Sequence, residues 1–264
     1  AVESSRSKAH LLAAAHEVAG ERILLGALDE LGLRSEVFFV KNNTDYFGNT
    51  FGYHENYSLR TSPDSAGIVY GFMPFLVTRQ IYAGSGMVTT PTDKEGPSYL
   101  ISQRSAFVET DVSRRVRFGG RPIINLRDEP LGDRSRLHVI AGDANRSEYA
   151  TALKVGMTGI VLDALVEGVD FTADLRDPVR AVKDYSQDPE LRATAETKSG
   201  KDVTALDVME GYLEVLESRG AEGEERSWVL RQWRELLDLL RRDRAGAGVI
   251  LYVDPWNAKK PPAP

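Results

Sequence analysis

The run Lys41-Asn42-Asn43-Thr44-Asp45, followed by Gly52-Tyr53-His54-Glu55-Asn56-Tyr57, gathers an imidazole, carboxylates, carboxamides and a phenol beside an apolar strand. Imidazole nitrogen with carboxylate or amide oxygen suits a hard divalent cation and a polyphosphate. Taken alone, such a stretch is more often a polar turn with one packed histidine. Two further stretches change the balance. One is Ser102-Gln103-Arg104. The other runs from Arg121-Pro122-Ile123-Ile124-Asn125-Leu126-Arg127-Asp128-Glu129-Pro130 to Arg136-Leu137-His138-Val139-Ile140-Ala141-Gly142-Asp143-Ala144-Asn145. This second stretch is an apolar strand ending in polar groups, a turn, and another strand with a histidine inside it. Arginine presents a planar fork that grips phosphate oxygens in pairs. Histidines, arginines and carboxylates at strand edges form the inventory of a nucleotide–magnesium site on an antiparallel sheet.

Strand parity sorts these residues. His54 and Asn56 share a face, and Glu55 points to the other. His54 and Asn56 therefore read as the site pair and Glu55 as a structural group. Arg104 follows an apolar strand and Arg127 opens a turn; the competing reading for each is an exposed arginine that stabilises its turn. His138 lies between Leu137 and Val139 and points away from both, with a satisfied core histidine as its competing reading. His10 and His16 lie on the first helix and receive no role. Trp228 and Trp233 read as core.

Helical spacing of Leu11, Leu12, Ala15, Val18, Ala19, Ile23, Leu24, Ala27, Leu28 and Leu31 predicts a helix over 8–31, ended by Gly32. A strand is expected over 36–41, with Asn42–Asp45 as its turn. A buried helix follows over 71–83 despite Pro74, broken by Gly84-Ser85-Gly86. Short strands are expected near 98–103, 106–110, 122–126 and 136–142. Asn145 and Ser147 are candidate caps for a helix reaching Glu167. A short helix over 177–185 and a strand over 191–197 come next. Thr204-Ala205-Leu206-Asp207 has capping-box spacing and opens a helix to about Glu217. An amphipathic helix over 225–244, a last strand over 249–253 and a Pro-rich tail close the chain. Strands first and helices later make this an α+β fold: an antiparallel sheet with helices on one face and a helical C-terminal part. The division expected is a domain over 1–220 and a small C-terminal unit over 221–264.

The 264 residues suffice for a sizeable core, and 42% hydrophobic with 27% charged residues is ordinary for a globular protein. A net charge of -6 argues against non-specific binding to nucleic acid or anionic membrane. The absence of cysteine removes disulfides, thiolate metal sites and a thiol nucleophile, and points to a reducing cytoplasm. No apolar run approaches the roughly 20 residues that span a bilayer. The opening residues are neither a signal peptide nor an initiator methionine.

Read together, the motifs resemble the Pup ligase / Pup deamidase family, the enzymes called PafA and Dop. The matching pieces are Lys41–Asp45, Gly48–Asn49, Phe51–Gly52, His54–Tyr57, Pro74–Gln80 with Ala83–Gly86, Ile101–Arg104, Arg121–Asn125, Arg127–Pro130, Arg136–Ile140, Gly142–Asn145, Ser147–Glu148, Ala150–Gly156, Leu191–Thr194 and Thr204–Asp207. They fall in the family's order, and the joint match is specific where each alone would be weak. The resemblance implies a glutamine-synthetase-like fold that binds ATP and magnesium. It implies metal contact by His54 and His138, and nucleotide or phosphate contact by Asn56, Arg104 and Arg127. Ala83–Gly86, Gly142–Asn145 and Leu191–Thr194 are closer to the deamidase/depupylase branch. That branch implies hydrolysis of the C-terminal glutamine of a Pup-like protein, or of its isopeptide bond to a pupylated substrate. The ligase activity is the alternative, and a catalytically inactive binding module is another.

The chain also departs from the family. Between Pro130 and Arg136 it has the short Leu131–Ser135 and lacks a histidine found there. The glutamate of the family's first strand and the aspartate that serves as base or nucleophile have no counterpart here, so the catalytic residue is unknown. The family's longer C-terminal helical region is also abbreviated. The expectation is a chain that forms part of a larger protein.

Overall fold

Period-two alternation builds the sheet and decides which side is wet. The computed structural model describes residues 9–38, 42–45, 49–62, 66–89, 98–114, 121–127, 134–145, 147–171, 173–221 and 223–242. Four strands, β1 (Glu55–Leu59), β4 (Thr110–Ser113), β5 (Pro122–Asn125) and β6 (Ser135–Val139), form one sheet in the order β1-β6-β5-β4. Glu55, Leu59, Leu137 and Val139 are buried, while Asn56 and Ser58 are exposed. The pairing is antiparallel for β1 with β6 and for β5 with β6, as expected, but β4 runs parallel to β5. The sheet is thus mixed. Two-stranded ribbons, β2 (Met87–Val88) with β3 (Tyr99–Leu100) and β7 (Thr194–Glu196) with β8 (Asp202–Thr204), stand apart from it.

The helices are α1 (Ala9–Leu31), α2 (Ala66–Thr78), α3 (Gln80–Ala83), α4 (Glu148–Val166), α5 (Pro178–Gln187), α6 (Ala205–Ser218) and α7 (Glu224–Arg242). Gly32 ends α1 in the left-handed region at φ +68, where a side chain would be strained. Ser147 caps α4 by accepting the Ala150 N–H, as its position predicted. Helix α4 is apolar and long enough to cross a bilayer by length and composition, but it is largely buried beneath α1, α2 and α7. Trp233 of α7 is fully buried against Phe75 of α2, so the amphipathic pattern read from sequence is a core-facing stripe.

Local rules were overridden in two places. The described part of the strand expected over 36–41 is not a strand: Glu36 ends a turn and 37–38 are irregular, because the Glu36 and Val37 N–H groups both donate to the carbonyl of Leu33, just past α1; residues 39–41 lie outside the described residues. Ser105–Phe107 is a single 3-10 turn and β4 starts only at Thr110, because Phe107 and Val108 donate back to Arg104 and Ser105. The strand expected over 249–253, the Pro-rich tail, Lys41 and Asp128–Pro130 lie outside the described residues.

The capping box at α6 forms as expected. Thr204 accepts the Asp207 N–H at 3.1 Å and Asp207 accepts the Thr204 N–H at 3.0 Å. Thr204→Ala removes one half of that exchange and is expected to lower stability by about 1 kcal/mol. Thermal unfolding reads this directly; an unchanged midpoint would show that the box contributes nothing.

Candidate active site

Across the sheet, Asn56 of β1 pairs with His138 of β6, which pairs in turn with Asn125 of β5. These cross-strand neighbours form a polar row on the face opposite the helices. Ser58 and Arg136 form the next row. His54 sits just before β1 and reaches the same row: its Nδ1 lies 3.2 Å from His138 Nε2, with the two rings edge-to-face at 4.9 Å.

Donor counting fixes the protons. Arg136 can only donate, and it meets His138 Nδ1 at 2.8 Å, so that nitrogen is an acceptor. His138 Nε2 then carries the proton and donates to His54 Nδ1, leaving the His54 proton on Nε2. Burial, and then the charges of Arg104 and Arg136, hold the His54 imidazole below its ordinary range, so it is neutral at physiological pH.

Gly52 makes room for this pair. A Cβ there would lie 2.3 Å from His54 Nε2. His54 lies on the outer face of the sheet, so Gly52→Ala is expected to displace its ring from His138 with little loss of stability. The His54 pKa should then rise toward 6.5, as NMR titration of the imidazoles would show. An unmoved titration would mean that the ring accommodates a methyl group in place.

Arg104 closes one side of the site. Its Nη1 donates to the carbonyls of Ile140 and of Gly142, the latter at 3.0 Å. The residue is 5% exposed and its Nε has no partner. Among the described residues no carboxylate stands within ion-pair distance of it. Burial, and then the nearby Arg121 charge, lower its pKa, with Asp143 opposing. A buried guanidinium without a paired anion is costly. Arg127 lies just past β5, exposed, and its N–H donates to Asn125 Oδ1 at 2.8 Å. Structure thus brings His54, His138, Asn56 and Arg104 to one region of the sheet, with Arg127 joined to the row through Asn125.

Behind the sheet, Glu55 points inward, as parity required. It meets Arg79 through both oxygens, at 3.0 and 2.5 Å, and accepts the Tyr57 hydroxyl. Burial would raise the Glu55 carboxyl, but Arg79, Lys154 and Tyr57 outweigh it and keep the group below the ordinary range. The same pairing holds Arg79 firmly cationic despite burial.

Sequence reasoning gave no role to Asp143, Lys154, Arg79 or Asn43. Asp143 accepts from Ser85, Ser102, Gln103 and Arg104. Lys154 donates to the Asp143 carbonyl and Asn145 Oδ1, both at 2.8 Å, and covers the Tyr53 ring at 3.5 Å. Asn43 bridges Ser85 and Ala144. The available signal was a lone charge inside an apolar run, at Arg79 in 72–83 and at Lys154 in 150–162, because such a charge persists only with partners.

Comparison with known proteins decides the family. A model described as Pup-ligase protein matches residues 5–260. The chain belongs to the Pup-ligase family. A Pup–protein ligase of Acidimicrobium ferrooxidans is 42% identical over 86% of this chain and 52% of its own length. A Pup deamidase/depupylase of Mycolicibacterium smegmatis is 38% identical over 91% of this chain and 50% of its own. The solved structure of the Pup ligase PafA in complex with ADP superposes with a TM-score of 0.77 at 29% identity, covering 96% of this chain and 58% of that one. A complex between Pup and PafA gives 0.74 at 31%, covering 90% and 51%. The chain therefore spans about half the length of the Pup-family relatives it matches, with the same mixed-sheet, glutamine-synthetase-like fold.

The residues present fit one of the two groups the family implies. A phosphate would supply the anion that Arg104 lacks. Magnesium does not fit as the residues stand. Both Nδ1 atoms of the histidine pair are engaged and both Nε2 atoms carry protons. Among the described residues no three His, Asp or Glu side chains converge. A hard cation also prefers oxygen ligands.

Proposed function

We propose that this chain forms the nucleotide-binding part of a cytoplasmic enzyme that acts on a Pup-like protein, with ATP phosphates received on the outer face of the sheet. The observation that carries the reading is Arg104, buried beside His54 and Arg136 with no carboxylate partner among the described residues. Arg104 neutralises phosphate charge from one side and Arg127 from the other. Asn56 and Asn125 offer amide groups along the row. His54 and His138 act as a hydrogen-bonded pair oriented by Arg136. When bound, ATP supplies the activating charge and phosphoryl chemistry; the residues described here bind it, orient it and keep the His54 imidazole neutral. No step is assigned to a metal.

The finer reading is a deamidase/depupylase that hydrolyses the C-terminal glutamine or the isopeptide bond of Pup. The sequences of Ala83–Gly86, Gly142–Asn145 and Leu191–Thr194, closer to that branch, favour it. The ligase reading is favoured by the 42% identity to a Pup–protein ligase. One assay separates them. The protein is given ATP with Pup ending in glutamine, with a Pup conjugate, and with Pup ending in glutamate plus a lysine-bearing acceptor. Ammonia release and conjugate cleavage are expected. Conjugate formation would replace this reading with the ligase one. ATP binding without either reaction would leave a binding module.

A further inference from the structure

The stretch from Ile140 to Asn145 holds more of the site than its lack of regular structure suggests. Asp143 is 2% exposed. Its Oδ2 accepts the Ser85 N–H at 2.9 Å, the Ser85 hydroxyl at 3.0 Å and the Gln103 N–H at 2.9 Å. Its Oδ1 accepts the Ser102 hydroxyl at 3.2 Å and the Arg104 N–H at 3.1 Å. Among the described residues no cation pairs with this carboxylate; N–H and O–H donors satisfy it throughout. It has no lone pair to spare for proton transfer, which removes it as a general base.

What this arrangement constrains is Arg104. The Arg104 N–H is held by the Asp143 carboxylate, and its guanidinium is held by the carbonyls of Ile140 and Gly142. Both ends of one side chain are thus tied to the same stretch. That stretch is fixed from α4 by Lys154, which bonds the Asp143 carbonyl, and from the other side by Asn43, which accepts the Ala144 N–H at 2.6 Å.

We propose that Asp143 is a positioning residue for anion capture: its carboxylate clamps the Ser85 loop and the Ser102–Arg104 turn together and so aims the Arg104 guanidinium at the phosphates. This rests on the reading of Arg104 as a phosphate ligand. Fixing a charged group in its bound geometry before the ligand arrives avoids the cost of ordering it on binding.

Asp143→Asn tests it on the intact protein. An amide has one acceptor oxygen, so whichever way it turns, at least two of the donors lose their partner and meet an NH2 group instead. ADP titration is expected to show about ten- to hundredfold weaker binding, because a hydrogen bond to a charged group is worth about 1.5–3 kcal/mol and each 1.4 kcal/mol is tenfold. Amide exchange at Ser85, Gln103 and Arg104 should quicken together. The double variant Asp143→Asn/Arg104→Met should bind no more weakly than Arg104→Met alone, since the first acts through the second. Additive losses, or unchanged ADP affinity in Asp143→Asn while Arg104→Met is impaired, would overturn the positioning role alone. Unchanged affinity in Arg104→Met would overturn the phosphate reading beneath it. Should Asp143→Asn fail to fold, Ser102→Ala keeps the carboxylate and removes one donor. It should weaken ADP about two- to fivefold in the parent and not at all on the Arg104→Met background; parent-like affinity would overturn the proposal.

Discussion

Replacing Arg104 by methionine is expected to weaken ADP binding about a hundredfold while leaving the fold as stable as before, or more stable by about 1–2 kcal/mol. The two signs have one cause. Arg104 is buried and has no carboxylate partner among the described residues, and its Nε bonds to nothing. Without an anion this charge is a desolvation cost with little return beyond two carbonyl contacts. Methionine keeps the length and the apolar stem but removes the charge. With an anion present, the same guanidinium gives charge-assisted hydrogen bonds in a region partly shielded from water. Calorimetric titration and thermal unfolding of the same two proteins check both signs. Lost stability with unchanged ADP affinity would make Arg104 a structural residue.

The second large effect lies behind the sheet. Arg79→Met strands the Glu55 carboxylate against Tyr57 in the core and is expected to cost about 3–5 kcal/mol at neutral pH. Glu55→Gln/Arg79→Met should recover much of this, because the penalty comes from the orphaned charge rather than from the missing contact. The pH dependence has a definite sign. In the parent protein the Glu55 carboxyl is held below its ordinary 4.5, so the unfolded chain binds its proton first as pH falls. The pair therefore contributes fully above about pH 4.5 and loses its contribution as pH drops through the lower folded value. In Arg79→Met the sign reverses. Burial, the largest influence, then raises the carboxyl against only Lys154 and Tyr57, so the deficit should shrink on mild acidification. Denaturant unfolding of both proteins from pH 7 to pH 4 reads this. A deficit that stays constant with pH would mean that the Glu55 carboxyl is not raised above its unfolded value in the variant.

Some of this architecture was legible in the chain because it follows local rules. Alternation put Glu55 inside and Asn56 outside, and the structure has them so. Ser147 and Thr204 declared their helix starts through side-chain geometry that needs only a few neighbouring residues. The stripe with Trp233 followed from helical period. What stayed hidden depends on contacts between distant segments. Nothing local tells β4 to run parallel to β5, or Phe107 to turn back on Arg104. The Asp143 cluster joins positions 43, 85, 102–104, 143 and 154, and no periodicity links loops so far apart. Five of the motif pieces that signalled the family, Lys41–Asp45, Ala83–Gly86, Ile101–Arg104, Gly142–Asn145 and Ala150–Gly156, meet in this cluster. Gly84 shows the same constraint in the backbone: a Cβ there would lie 2.2 Å from the Ile101 carbonyl oxygen.

Nucleotide phosphates are expected to meet the outer face of the sheet. Hydrogen exchange with and without saturating ADP tests it most directly. Slower exchange is expected at residues 54–58, 102–104 and 136–140, with α6 and α7 unchanged. Protection confined to the helical layer, or none at all while ADP is bound, would contradict it.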